Sequence, residues 1–174
     1  TLTNLWIRNA SNNNPGLSET LSRGMVARAD KNGDQGGKDV VYISARTANS
    51  GSASSSLMRF DASNGNQLST LNLTFDNTFS TAYFPTNGVL VDADGQVLVH
   101  NMAASNANKL TVGIVNLSNG QVTTYFSQTA DPNIRIDHID VYGTVSNSGT
   151  YYVLAANGSN AIRWKVTNGN VTRE

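Results

Sequence analysis

The stretch from Phe60 to Gln67 reads FDASNGNQ, and the chain contains two close relatives of it. The relatives are VNLSNGQ, from Val115 to Gln121, and WKVTNGN, from Trp164 to Asn170. Each copy has an apolar run, a polar pair and then Asn-Gly. Asn-Gly between alternating apolar and polar residues is a strong hairpin signal, because both residues tolerate the positive φ of a tight turn. Each copy therefore predicts a β-hairpin.

The hairpins recur with a regular spacing. Their glycines, Gly65, Gly120 and Gly169, lie 55 and 49 residues apart, which is typical of the four-stranded blades of a propeller. The β-rich runs between them predict a single all-β domain of three four-stranded antiparallel units. A β-sandwich is the alternative, but it gives no reason for a repeat of about 50 residues. The predicted units cover residues 24–74, 86–128 and 134–174, after a lone strand over residues 2–8.

Two segments resemble the blades of a β-propeller: Arg23 to Val26 and Gly88 to Val99. With the three Asn-Gly hairpins, they resemble more narrowly the uncharacterised propeller-like domains of bacterial surface lipoproteins of the Bacteroidetes type. That resemblance implies an extracytoplasmic location, either secreted or at the cell surface. Propellers close with about four to eight blades. Three units therefore predict a propeller fragment completed by further blades of a larger chain, or a homodimer that completes the ring.

Composition argues against two classes of partner. The 12 basic and 12 acidic side chains cancel, and only 14% of the residues are charged. The overall field would therefore not attract nucleic acid or an anionic membrane. No run of about 18 apolar residues is present to insert into a bilayer. The chain has no cysteine, which excludes a disulfide framework and a thiolate metal site.

Polar side chains flank the first two predicted strands of each unit, where a propeller would present them to its central channel. Arginine forks and amides suit carboxylates, planar polar ligands and sugar hydroxyls. These positions predict a non-catalytic binding or scaffold domain for a polysaccharide or a surface protein. The alternative is a structural module of a larger surface assembly. The predicted ligand-binding residues are Arg23, Arg46, Asn87, Asn101, Arg135, His138 and Asn157.

Aromatic side chains are a second source of ligand contacts. Stacking on a ligand and packing between blades are both open to them, and packing is the more common use of aromatic residues in such a fold. The residues concerned are Trp6, Tyr83, Phe84, Tyr125 and Trp164.

The loop from Asp30 to Asp39 is the most site-like local sequence. Asp30, Asn32, Asp34 and Asp39 offer oxygen ligands in a Gly-rich loop, a pattern that can wrap Ca²⁺. The glycine falls one position later than an EF-hand loop requires, and no bidentate Glu closes the loop. The alternative is a polar hairpin loop between two strands. Calcium is the one cofactor that the sequence brings into consideration.

An enzyme is the competing class of function. The strongest cluster for it is His138 with Asp137 and Arg135. In a strand, Asp137 and Asp140 would point to opposite faces, so they could not bracket one substrate. The chain also lacks a Gly-x-Ser-x-Gly elbow and a metal-type pair of histidines. We therefore expect no catalytic residue.

Overall fold

A computed structural model describes residues 22–30, 35–47, 54–80, 84–103, 108–129, 135–157 and 160–174. In these ranges the chain forms 13 β-strands and one short helix. The strands make three separate sheets, so the predicted all-β fold is confirmed, whereas a β-sandwich would have two. The predicted lone strand over residues 2–8 lies outside the described residues.

The first sheet is an antiparallel meander in chain order. Its register aligns Met25 with Ile43 and Ile43 with Met58 across three strands. Buried residues occupy nearly all of the second strand, as expected where neighbours cover both faces. The strands are β1 (Ser22–Arg28), β2 (Val40–Arg46), β3 (Ser55–Asp61) and β4 (Gln67–Asn72).

The second sheet has five strands, one more than predicted. The extra strand, β5 (Thr74–Phe75), runs parallel to the last strand, with Thr74 opposite Gln121. The chain therefore joins the second sheet at residue 74, where the sequence placed the end of the first unit. The other strands form an antiparallel meander. They are β6 (Gly88–Val91), β7 (Val97–His100), β8 (Lys109–Val115) and β9 (Gln121–Thr129).

A one-turn helix, α1 (Asn77–Ser80), follows β5 and was not predicted. The Asp76 carboxylate caps it by accepting the backbone N–H of Phe79 at 3.0 Å. The same carboxylate accepts the Thr124 hydroxyl at 2.8 Å, which ties the helix to β9. Burial by itself would raise the pKa of Asp76, but these hydrogen bonds outweigh it and hold the pKa below its usual value.

The third sheet is again an antiparallel meander of four strands. Its first strand begins at Ile139, later than the predicted start at Ile134. Ile136 instead forms an isolated bridge with Ala103, which follows β7 of the second sheet, with an N–H to carbonyl distance of 2.7 Å. The strands are β10 (Ile139–Tyr142), β11 (Thr150–Asn157), β12 (Asn160–Thr167) and β13 (Asn170–Arg173).

The three Asn-Gly pairs form two kinds of turn. At Asn168 and Gly169 both φ angles are positive, at 49° and 78°, and the loop has two residues. In the hairpin ending at Gly120 only the glycine has a positive φ, and its N–H donates to the Asn116 carbonyl at 2.8 Å. The Asn116 side chain also accepts the N–H of Ser118 at 3.0 Å, which favours the longer loop of five residues between β8 and β9.

Two apolar layers join the sheets. Tyr42 and Val99 belong to the layer between the first and second sheets. Phe126 and Trp164 belong to the layer between the second and third sheets, where their rings meet edge to face with centroids 5.5 Å apart. The sheets thus pack side by side in chain order.

Strands β1, β6 and β10, each the first strand of a predicted unit, are neighbours. Strand β6 contacts both β1 and β10. A methyl group on Gly24 of β1 would lie 2.9 Å from the Cα of Gly88 on β6, so glycine allows the two backbones to approach this closely. This approach brings the polar ends of the first strands together.

Candidate functional site

Hydrogen bonds connect all three sheets at one end of their first strands. Arg23, in β1, donates from Nε to Oδ1 of Asn87 at 3.2 Å. Asn87, just before β6, donates from Nδ2 to the backbone carbonyl of Asp137 at 2.6 Å. Asp137 lies just before β10. We call Arg23, Asn87, Arg135 and Asp137 the inner cluster.

Arg135 belongs to the inner cluster through its ion pair with Asp137. Its Nε lies 2.7 Å from Oδ2 of Asp137 and its Nη2 lies 2.9 Å from Oδ1, a two-pronged contact. Both side chains are solvent-accessible, so the pair contributes only about 0–1 kcal/mol to stability. The structure thus brings three predicted binding residues, Arg23, Asn87 and Arg135, into one connected group.

Two of the predicted binding residues at the ends of the second strands, Arg46 and Asn101, make contacts outside the inner cluster. Arg46 is buried, with its guanidinium carbon 4.4 Å from the ring centroid of Phe84. Asn101 is also buried, and its amide closes the loop between β7 and β8. It donates to the Lys109 carbonyl at 2.8 Å and accepts the Thr111 N–H at 2.7 Å. The backbone of its own loop thus uses both ends of the Asn101 amide, and ligand binding by Asn101 stays a prediction.

His100 lies behind the inner cluster and is fully buried. Its Nδ1 donates to the Asn101 carbonyl at 2.9 Å. The rest of the ring covers Gly88, where a methyl group would overlap Nε2 and lie 2.8 Å from Cδ2. Burial lowers the pKa of His100 to about 4.

The stability of the protein should therefore fall as the solution becomes acidic. The unfolded chain takes up a proton below about pH 6.5, whereas folded His100 takes one up only near pH 4. Stability from this group is thus complete above pH 6.5 and is lost as the pH falls towards 4. Between pH 7 and pH 5 the free energy of unfolding should drop by about 2 kcal/mol. Urea denaturation at the two pH values measures it.

Replacing His100 by glutamine should remove this part of the pH dependence. The matched control is His138→Gln, because His138 is exposed. The control should keep the wild-type difference between pH 7 and pH 5. Equal pH dependence in the wild type and the His100→Gln variant would contradict the assignment.

A second polar and aromatic surface lies on the outer face of the third sheet. Strand alternation turns Val141 and Val153 inward and Tyr142 and Tyr152 outward. The two tyrosine rings are 6.3 Å apart, and Tyr142 is 74% exposed. Arg163 places its guanidinium 5.4 Å from the Tyr152 ring centroid. We call Tyr142, Tyr152, Leu154 and Arg163 the tyrosine face.

A hollow of about 440 Å³ borders the tyrosine face. Leu154 and Ala156 contribute apolar surface to its lining, and Asp140, Arg163 and Glu174 contribute charged groups. Arg163 and Glu174 form an ion pair there at 2.5 Å. A concave apolar surface with a few polar groups around it is the usual form of a small-ligand site. The residues that line it include His138, Asp140, Leu154, Ala156, Arg163 and Glu174.

The sequence named His138 for binding but missed the tyrosines. The alternation Ile-Asp-Val-Tyr in β10 could have indicated that Tyr142 points away from the core. Trp164 and Phe84, which were named instead, are buried, so core packing is their role. Tyr125 packs partly buried against the core between the second and third sheets. Trp6 and Tyr83 lie outside the described residues, as does the side chain of Asn157.

The predicted calcium loop is only partly described, because Asn32 and Asp34 lie outside the described residues. The Asp30 carboxylate accepts the N–H of Gly37 at 2.6 Å and that of Gln35 at 3.2 Å. Asp39 accepts the N–H of Asp30 at 3.0 Å. These contacts close the loop, and in the described ranges no three His, Asp or Glu side chains are grouped to hold a metal. Calcium binding stays a prediction.

None of the helical segments in the described ranges is long and apolar enough to cross a membrane. Comparisons of the chain with protein-family models, with curated proteins and with solved structures give no match. The function is therefore argued from the geometry of the inner cluster, the tyrosine face and the hollow.

Proposed function

We propose that this chain is a non-catalytic, extracytoplasmic binding domain that holds a glycan on the tyrosine face of its third sheet. The observation that carries the proposal is the pair Tyr142 and Tyr152, with Tyr142 74% exposed beside the hollow. Large apolar side chains that are grouped and exposed to water mark interaction surfaces more often than single exposed ones do. A tyrosine offers a flat apolar ring and a hydroxyl that forms hydrogen bonds.

A sugar ring matches this combination. Its C–H face is apolar and its edge carries hydroxyls, so it needs a flat apolar contact together with polar groups at the side. Leu154 and Ala156 supply apolar contacts in the hollow. Its hydrogen-bond donors and acceptors are Asp140, Arg163 and Glu174. A protein partner would need a broader surface, about 800 Å² on each side of a stable interface.

The domain is proposed to be part of a propeller. The meander order of each sheet and the contacts of β6 with β1 and β10 support this arrangement. The hydrogen bonds from Arg23 to Asn87 and from Asn87 to Asp137 are also expected where blades meet around an axis. The glycan proposal places the third sheet at an open end of this arrangement, because a further blade packed on its outer face would cover the tyrosine face. The resemblance to bacterial surface lipoproteins supplies the proposed location.

Glycan binding is tested by screening the chain against an oligosaccharide array and measuring the affinity of each hit by calorimetry. Tyr142→Ala should weaken binding at least about tenfold, because the flat contact is lost. Tyr142→Phe should stay within about threefold of the wild type, because the ring remains.

The matched control is Leu68→Ala. Leu68 is also an exposed large apolar residue, at 37%, but it lies on β4 of the first sheet. Its replacement should leave the affinity unchanged. The proposal is wrong if no oligosaccharide binds, or if Tyr142→Ala and Leu68→Ala have the same effect on binding.

A further inference from the structure

We infer that the inner cluster binds a carboxylate, so that the glycan held by this domain is an acidic one containing uronate residues. This inference rests on the proposed glycan-binding function. It adds a second contact, to a charged substituent of the ligand, at a place distinct from the tyrosine face.

Arg23 uses one side-chain donor within the described part of the protein. Its Nε donates to the side-chain oxygen of Asn87, which is a neutral acceptor. In the described part of the chain this is the one hydrogen bond of Arg23, and the guanidinium has five N–H donors. The two terminal nitrogens of such a fork match the two oxygens of a carboxylate.

The two arginines of the inner cluster differ in how their charges are balanced. Arg135 is already balanced by Asp137, with which it makes a two-pronged ion pair. Arg23 has an amide, not a carboxylate, as its described partner. Arg23 is also only partly exposed, so water screens its charge less than at an open surface. An anionic group arriving beside Arg23 would therefore gain more than a neutral one.

The inner cluster is preorganised by the hydrogen bonds of Asn87. Asn87 is buried, and its Nδ2 is held by the Asp137 carbonyl at 2.6 Å. That bond turns Oδ1 of Asn87 towards Arg23 and fixes the guanidinium before a ligand arrives. Groups that are already oriented lose less conformational entropy on binding.

The inner cluster and the hollow are close together along the chain. Asp137 belongs to the inner cluster, and Asp140, three residues later, lines the hollow. Three extended residues span at most about 10 Å. Asp137 therefore lies within about 10 Å of the lining of the hollow, and we infer that a neighbouring ring of an oligosaccharide seated there extends over the inner cluster.

The experiment compares two ligands that differ in one charge per ring: an oligogalacturonate and its methyl ester. The wild type should bind the free acid roughly tenfold more tightly than the ester. Raising the salt concentration should weaken binding of the acid and leave the ester unchanged. Arg23→Gln should remove the preference without altering the affinity for the ester.

Two further variants separate the role of Arg23 from general effects. Arg23→Lys keeps the charge but not the fork, so it should retain part of the preference. Lys109→Gln removes an exposed positive charge on β8 of the second sheet and should change nothing. The inference is overturned if the wild type binds acid and ester equally, or if Arg23→Gln weakens both to the same extent.

Failure of the glycan proposal would look different. If no saccharide binds, citrate and an acidic peptide serve as carboxylate probes. Binding of either probe that Arg23→Gln abolishes would keep the carboxylate site while rejecting the glycan. Binding of the peptide alone would point to a protein partner. If neither probe binds, the carboxylate site is rejected as well.

Discussion

Gly120→Ala is expected to lower the free energy of unfolding by about 3–5 kcal/mol. Gly120 has a φ of 79°, which is unfavourable for any residue with a Cβ. A methyl group there would also overlap the carbonyl oxygen of Asn72 and lie 3.1 Å from its carbonyl carbon. Relief of this overlap would pull Asn72 away and break the bond from the Thr74 N–H to the Gly120 carbonyl, now 3.0 Å. The parallel pairing of β5 with β9 depends on that region.

Gly169→Ala is the matched control for Gly120→Ala. Gly169 has nearly the same φ, 78°, in the shorter of the two kinds of Asn-Gly turn, but nothing lies within 4 Å of the added Cβ. This variant should lose only the backbone cost, about 1–2 kcal/mol. Urea denaturation followed by circular dichroism measures both variants. Recovery of Gly120→Ala only as unfolded protein, with Gly169→Ala folded, would agree with the prediction. Equal losses in the two variants would contradict it.

Asp92→Ala is expected to destabilise the protein by about 3–4 kcal/mol. Asp92 is buried at the end of β6, opposite the inner cluster. Its Oδ2 accepts the N–H of Val145 at 2.9 Å and the side-chain amide of Gln96 at 2.7 Å. Its Oδ1 accepts the N–H groups of Asp94 at 3.1 Å and Gln96 at 2.9 Å. Alanine would leave these donors, including the buried N–H of Val145, without their acceptor.

The control is Asp94→Ala in the same Asp-Ala-Asp-Gly turn. Asp94 is exposed, so its replacement should change stability by no more than about 0.5 kcal/mol. Both variants remove one negative charge, which makes the net charge equal. Thermal and urea unfolding of the two variants give the comparison. Similar stabilities would show that Asp92 does not hold the second sheet to the loop between β10 and β11.

Part of the candidate site could be predicted from the repeat. Arg23 and Asn87 occupy corresponding positions at the starts of two first strands, so a repeated fold was expected to bring them together, and the structure does so. Asn101 shows where this reasoning ends. It follows the second strand of the unit, whereas Asn87 precedes the first, and Lys109 and Thr111 use its amide in the structure. Both residues are asparagines beside strand ends, and only the surrounding backbone decides which amide reaches another sheet.

The sequence by itself determined the strands, the three hairpins and their grouping into three sheets. These features depend on alternation and on the φ preferences of glycine and asparagine, which act over a few residues. Tertiary structure alone decided that β5 pairs with β9 and that Tyr142 stays exposed while Trp164 is covered. Such choices depend on which distant segments pack against one another, and no local pattern encodes them.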